Sequence, residues 1–366
     1  LSTLLLTRDN IFELVEAVTV NGKLIIEDPV DHMKLVKLAR AYSKAVKAMI
    51  NSILKGVPQS EALKTAYNIL PNYVYLETAY KNAKAIVEGL KETGGERCEI
   101  RRFWVSSRGN RFDYGNRNIK LVPKNGFFKV LIRYPWDSSW IKAKAFFGDR
   151  YVEMLKKLVD LASRREEGYG ATISFREHPK IHMHVPIWLY LKHFSENSIA
   201  GGRFVAGIDL NSDRLNLVVM DEDSRIVHLN TFWYPEVTSH GFPRDLARET
   251  RLQALYTALD VAKAVGASTV AFENLFLVKK RRFAVSANAN RKISKFAKRQ
   301  LLLHGVIRAI RMGFRVVLVD PKGTTTSKEH REAMLKHGLD KHTASAYLIA
   351  NKSRKQLAHI NPHKPT

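Results

Sequence analysis

The chain has 366 residues, 45% hydrophobic and 10% aromatic, enough to bury the cores of two or three domains and to exclude a disordered polypeptide. Its 60 Lys and Arg against 35 Asp and Glu give a formal charge of +25, which points to a polyanionic partner, nucleic acid first. The single cysteine, Cys98, excludes a disulfide framework within the chain and any cysteine-built zinc site, and no apolar run approaches the ~18–20 residues of a membrane span.

LSTLLLT at the start is too short, and lacks the basic residues, for a signal peptide; a cytoplasmic, nucleoid-associated location is expected. IFELVEAVTVNGKLIIE (11–27) reads as a β-hairpin turning at Asn21-Gly22. From Asp31, a candidate N-cap, the apolar spacing becomes helical as far as Gly56 and Pro58. Two more helices, in ALKTAYNIL and YLETAYKNAKAIVEGLKE, complete a helical insert over 31–94. CEIRRFWV, IKLV and FFKVLIRY then return to strand, DRYVEMLKKLVDLASRREE to helix, and GATISFRE with KIHMHVPIWLYL to a strand pair. Residues 1–30 and 95–200 thus form a β-rich, barrel-like module around the insert.

A different order begins near 201. FVAGIDL, RLNLVVMD and RIVHLNTFWY are three strands joined by short polar turns. Helix RDLARETRLQALYTALDVAKAVG, strand STVAFENL, helix RKISKFAKRQLLLHGVIRAIRMG capped at Asn290, strand RVVLVDP and helix KHTASAYLIAN follow. Three consecutive strands, then alternating helix and strand, predict an α/β domain with a mixed sheet, the order of RNase H-like domains, over 201–356, with 357–366 as a tail.

Asp209 stands where the first of these apolar strands should continue. A buried carboxylate costs several kcal/mol unless it is paired or binds a cation. Glu273 ends the fourth strand and Asp340 opens the last helix, so this topology can bring all three acids together. Converging carboxylates call for a divalent cation, and Mg²⁺ (or Mn²⁺) suits oxygen donors. Two such ions ~4 Å apart can activate water and stabilise the leaving oxygen of a phosphodiester. Each acid also has a plainer reading: Asp209 as a turn residue before Asn211, Glu273 as a loop cap, Asp340 as the N-cap of its own helix. Asp320, before Pro321, is a weaker candidate, and Asp213, Asp221 and Glu222 read as turn and surface acids.

GIDLN (207–211), AFENL (271–275), RKISKFAKRQL (291–301), VDPKGTTTS (319–327) and GLDKHTASAYLIA (338–350) resemble the RuvC-like nuclease of TnpB proteins, transposon-encoded relatives of type V CRISPR effectors. The resemblance is motif-dense over 203–350, and upstream the module and its insert are similar in order to that family's wedge and recognition regions. It implies an RNA-guided, Mg²⁺-dependent DNA endonuclease that binds a guide RNA from the transposon end and double-stranded target DNA, with Asp209 and Glu273 as the first two metal-binding acids. Two features depart from the family. No cysteine lies between VDP and the last acid, so no zinc ribbon forms there. The final motif, an Asp followed two residues later by Asn, is not intact: Asp340 is the first choice for the third acid, and His342 aligns as its alternative.

Between Asn274 and Val319 stand twelve Lys and Arg and no acid. Lys279, Lys280, Arg281 and Arg282 follow the Glu273 strand; Arg291, Lys292, Lys295 and Arg299 lie on the next helix, three of them on one face. Arg101, Arg102, Arg108 and Arg111 interleave with aromatics in RRFWVSSRGNRFDYGNRN (101–118). Both stretches are expected to hold nucleic acid; the alternatives are a solvated helix face and an ordinary hairpin loop. His330, His337 and His342 lack the tight spacing of a metal site. Two rival functions remain: a guided DNA-binding regulator of the same fold with catalysis lost, and an actin-like or sugar-kinase ATPase, disfavoured because LNSDRLN lacks the small hydroxyl residues that would meet phosphate.

Overall fold

The computed structural model describes residues 4–93, 99–100, 102–175, 178–196, 202–277, 298–324 and 327–360. The chain divides into two units, Phe12–His193 and a second made of Leu1–Ile11 with Phe194–Thr366. Strand β1 (Leu4–Leu6) therefore goes with the C-terminal unit, although the sequence grouping placed 1–30 in the β module.

In the unit Phe12–His193, β2 (Ala17–Ile25) leads into helices α1 (Pro29–Leu54), α2 (Gln59–Tyr67) and α3 (Tyr73–Thr93). Strands β3 (Trp104–Ser107), β4 (Ile119–Lys124), β5 (Phe127–Arg133) and β6 (Trp140–Phe147) follow, then α4 (Asp149–Ser163), β7 (Gly170–Phe175), β8 (Pro179–Pro186) and α5 (Ile187–Phe194). The seven strands form an antiparallel half-barrel in the order β3-β7-β8-β2-β6-β5-β4. Alternate residues point inward, giving the period-2 burial of a sheet with one solvated face.

Four local expectations are corrected here. Asn21-Gly22 is no hairpin turn but the middle of a continuous β2, paired with β8 through Asn21–His182 and Gly22–Ile181. Gly22 is there for space: a Cβ would sit 2.6 Å from the Phe147 ring. The cap of α1 is Asp28, not Asp31; its carboxylate accepts from Val30 N at 2.7 Å and Pro29 occupies the first turn. Asp31 instead accepts from Lys142 N at 2.9 Å. WIKAKAFF forms a further strand, β6, where the sequence predicts none. KIHMHVPIWLYL is half strand and half helix, because Pro186 has no N–H to extend the ladder and a helix starts behind it.

The other unit contains β9 (Phe204–Leu210), β10 (Arg214–Met220), β11 (Ile226–Trp233), α6 (Arg244–Val265), β12 (Ala267–Glu273), α7 (Lys298–Arg311), β13 (Arg315–Val319), α8 (Lys328–His337) and α9 (Lys341–Ile360). Their mixed sheet has the order β1-β13-β12-β9-β10-β11. Strands β9 to β11 run antiparallel, whereas β12 and β13 run parallel to β9, as the element order predicts. Not anticipated are β1, antiparallel to β13, and α8. Helix α9 runs on to Ile360 and absorbs the start of the expected tail. Asn290 and the start of its helix lie outside the described residues.

Helix α9 lies directly on β9. At Gly207 a Cβ would stand 2.2 Å from the Ala346 carbonyl oxygen and 2.6 Å from Ala350 N, so only glycine admits this approach. On the same turn of α9, Ile349 packs on Ala271 of β12 and on Val317 and Val319 of β13. The helix thus crosses the sheet from β9 to β13. Strand β11 is a sheet edge: it carries no Lys, Arg, Asp or Glu, and Val227, Leu229 and Trp233 are 43%, 50% and 60% exposed. Among the described residues no helix is long and apolar enough to cross a membrane.

Candidate functional site

Six of the seven residues of β9 are buried, Asp209 among them. Its Oδ2 accepts from Asn211 Nδ2 at 2.8 Å and lies 3.5 Å from His342 Nδ1. Glu273 is the last residue of β12, one step beyond the Phe272–Ile208 pair that joins β12 to β9. Glu273 therefore stands beside Asp209, the next-to-last residue of β9, on neighbouring parallel strands whose backbones run ~4.8 Å apart. Glu273 Oε1 accepts a hydrogen bond from the buried Thr324 hydroxyl.

Asp340 does something else. Its carboxylate accepts from His342 N at 2.9 Å, from Thr343 N at 3.3 Å and from the Thr343 hydroxyl. That is the N-cap of α9, the plainer of its two sequence readings. Partial burial pushes its carboxyl pKa up, but the Thr343 hydroxyl and the two backbone N–H groups outweigh this and hold it below the ordinary value. Thr343 Oγ1 also accepts from Asn216 Nδ2 at 3.1 Å, and the same amide donates to Thr231 Oγ1 at 2.8 Å. Asp340 is thus one end of a polar network that seats α9 on β10 and β11. The group that α9 turns to Asp209 is the His342 imidazole, because His342 lies one helical turn before Ala346, which touches β9 at Gly207.

Two carboxylates on adjacent strand ends are hard donors of the kind Mg²⁺ takes. Mg²⁺ is commonly held by one or two carboxylates, with water and substrate phosphate completing its shell. Asp209 and Glu273 fit that ion, or Mn²⁺, which also accepts imidazole. The three-carboxylate arrangement is not assembled: among the described residues no three His, Cys, Asp or Glu side chains are grouped to hold one ion. His330 is a core residue, its Nε2 2.9 Å from Lys341 O. Asp320 caps its own turn, accepting from Lys322 N at 2.8 Å. Asp213 lies 3.3 Å from Arg214, and Asp221 accepts from Asp223 N and Arg225 N.

Lys279, Lys280, Arg281, Arg282, Arg291, Lys292, Lys295 and Arg101 lie outside the described residues. Arg299 is on α7, and Arg102 is exposed. Arg108 pairs with Glu16 at 3.1 Å, and Arg111 lies over Phe112, which is 69% exposed. Next to them Tyr114, at φ 52°, carries the Arg165 guanidinium 4.3 Å over its ring. A second basic surface escaped the sequence reading. On the solvated face of the half-barrel, Lys23 stands opposite Lys180 and Lys129 opposite Lys144, beside Lys142 and a Phe127–Phe146 contact at 6.2 Å. Lys144 pairs with Glu27 at 2.6 Å, and the other lysines keep the face in positive excess, which suits a polyanion with flat bases to stack. The signal was present in the alternating lysines of WIKAKAFF and in Lys129 of FFKVLIR.

The protein is 52% identical over 348 residues to the SSO2105 protein of Saccharolobus solfataricus, covering 94% of each chain. It belongs to the SSO2105 family. The model of the SSO2105 N-terminal domain matches residues 17–195, close to the bounds of the half-barrel unit. Two Aeropyrum pernix proteins are 28% identical over 306 residues, 78% of this chain and 81% and 72% of theirs. Among solved structures, T. thermophilus RuvC in complex with Holliday junction substrate aligns over 45% of this SSO2105-family chain and 99% of its own, at 20% identity and a TM-score of 0.31. A CRISPR-Cas12f ternary complex aligns over 88% and 81%, at 11% identity and 0.32. Scores this low carry no argument, and the fold is read from strand order and register alone.

Proposed function

We propose that this protein is an RNA-guided, transposon-associated DNA endonuclease whose C-terminal unit is RNase H-like, of the RuvC kind. The observation that carries the reading is the placement of Asp209 and Glu273 at the ends of neighbouring parallel strands, one of them a charge in an otherwise apolar strand. A divalent cation bound there supplies Lewis-acid activation of water and of the scissile phosphate. The chain itself supplies the rest. Asp209 and Glu273 hold the cation, and His342 Nδ1 can orient Asp209 Oδ2. Asn211 holds the same oxygen from the β9–β10 turn. Lysines on the half-barrel face and the Arg–aromatic pairs at 108–114 hold nucleic-acid backbone and bases, while guide pairing reads the target. In the reaction a water oxygen adds to phosphorus and the P–O ester bond breaks, its oxygen leaving with a proton.

One observation favours a second reading, a guided DNA-binding protein that does not cut: the Asp340 carboxylate is committed to its helix cap. A single experiment separates the two. The protein is purified with RNA transcribed around its own reading frame and incubated with Mg²⁺ and plasmids carrying the guided target beside random flanks. Cuts at guided sites, lost in Asp209→Ala, establish the nuclease. Guided binding without cuts establishes the regulator, and neither result sinks both readings.

A further inference from the structure

The VDPKGT segment (319–324) makes the turn that follows β13. Asn274, the residue after Glu273, donates its N–H to Val319 O at 2.7 Å, so the end of β12 is tied to the end of β13. The turn then closes on itself: Lys322 N donates to Asp320 Oδ1 at 2.8 Å, and the Thr324 hydroxyl lies 2.7 Å from Pro321 O. The same fully buried hydroxyl meets Glu273 Oε1. From the other side Lys352 of α9 reaches in, its Nζ donating to Asp320 O at 3.2 Å and to Lys322 O. Burial lowers the pKa of this lysine, while Asp320, Glu273 and Glu329 pull it back up; its charge is felt at Glu273. One helix therefore serves both acids, His342 at Asp209 and Lys352 beneath the turn that touches Glu273.

We propose that Lys352 and Thr324 are positioning residues. Lys352 clamps the Asp320–Gly323 turn by its carbonyl oxygens, and Thr324, carried on that turn, holds the Glu273 carboxylate in the orientation that a cation shared with Asp209 requires. The idea rests on the metal-site reading above. A glutamate at a strand end samples several rotamers unless a partner selects one. Outer partners of this kind typically change metal affinity by about 10–100-fold when removed.

The test uses the full chain and two readouts, Mn²⁺ binding followed by the electron paramagnetic resonance of the free ion, and hydrogen exchange of the turn amides at Lys322 and Thr324. Thr324→Val, isosteric but without the hydroxyl, should weaken Mn²⁺ binding about tenfold or more, and Thr324→Ser should stay within about twofold of the parent. Lys352→Met should weaken binding in the same direction and speed exchange in the turn, with Lys352→Arg restoring both. Parent-like Mn²⁺ binding by folded Thr324→Val overturns the proposal. If Thr324→Val does not fold, Lys352→Met with unchanged binding and unchanged exchange overturns it instead. If the parent binds Mn²⁺ no better than Asp209→Ala, the metal reading fails. The clamp is then judged on exchange alone: faster turn amides in Lys352→Met support it, and unchanged amides overturn it.

Discussion

The two sheets hide their chemistry in opposite ways. In the mixed sheet β9 and β10 are buried on both faces, so nearly every position is apolar and one carboxylate is conspicuous. In the half-barrel only alternate residues are buried, and any polar residue is at home on the other face. A charge is informative in inverse proportion to how easily its position tolerates one. Asp209 therefore announces a site by itself, whereas the lysines of the half-barrel become a surface only once the register lines them up across strands.

The sharpest break in that comparison is Asp209→Ala. It should abolish guided cleavage while leaving the melting temperature unchanged or raised, because it removes a buried charge; cleavage and calorimetry on one preparation check this. Serine at Lys23, Lys129, Lys144 and Lys180 together should weaken binding in graded steps where Asp209→Ala abolishes cleavage outright. The fold should be kept, while the slope of log K against log salt for single-stranded RNA falls by about 0.7 for each lysine that meets a phosphate. Gly207→Ala should harm the fold and the site at once, since its methyl group meets the α9 backbone. A loss of about 1–3 kcal/mol or more is expected from denaturant unfolding. Asp340→Ala should cost less, about 0.5–2 kcal/mol as for other caps, and Asp340→Asn should be smallest, since Asn caps a helix about as well as Asp near neutral pH. Because the Asp340 pKa is held down in the folded protein, its contribution is full above the ordinary carboxylate range and is lost as pH falls below it. The parent should therefore lose more stability than Asp340→Asn between pH 5 and 3, measured by thermal melts. Loss of cleavage without loss of stability in Asp340→Asn would instead return that acid to the metal site.

Much of the C-terminal unit was legible because its strands are apolar runs ended by acids, and the three-strand start followed by alternation admits few topologies. The N-terminal unit was legible where helical spacing is long, as in α1 and α3. It was misread where one signal has two causes. Asn-Gly is the strongest hairpin dipeptide, yet Gly22 answers to the Phe147 ring, a partner more than a hundred residues away. Asp31 and Asp28 both precede apolar residues, and the Pro at 29 decides between them. At the site, Asp340 and His342 lie two residues apart at a helix start. Which of them faces Asp209 depends on the rotation of α9, and that is set by the Gly207 contact. No local pattern carries this information.

Strand β11 has a consequence for handling the protein. Its open edge is eight residues long, apolar in part and without a charge to blunt it, the kind of edge that invites pairing between copies. The formal charge of +25 keeps copies apart at low salt. Salt high enough to strip bound nucleic acid also shortens the Debye length to ~3 Å near 1 M, and with it goes the repulsion. The cleanest preparation should then be the one most prone to self-association, with colloidal stability returning once a nucleic acid is bound or the salt is lowered.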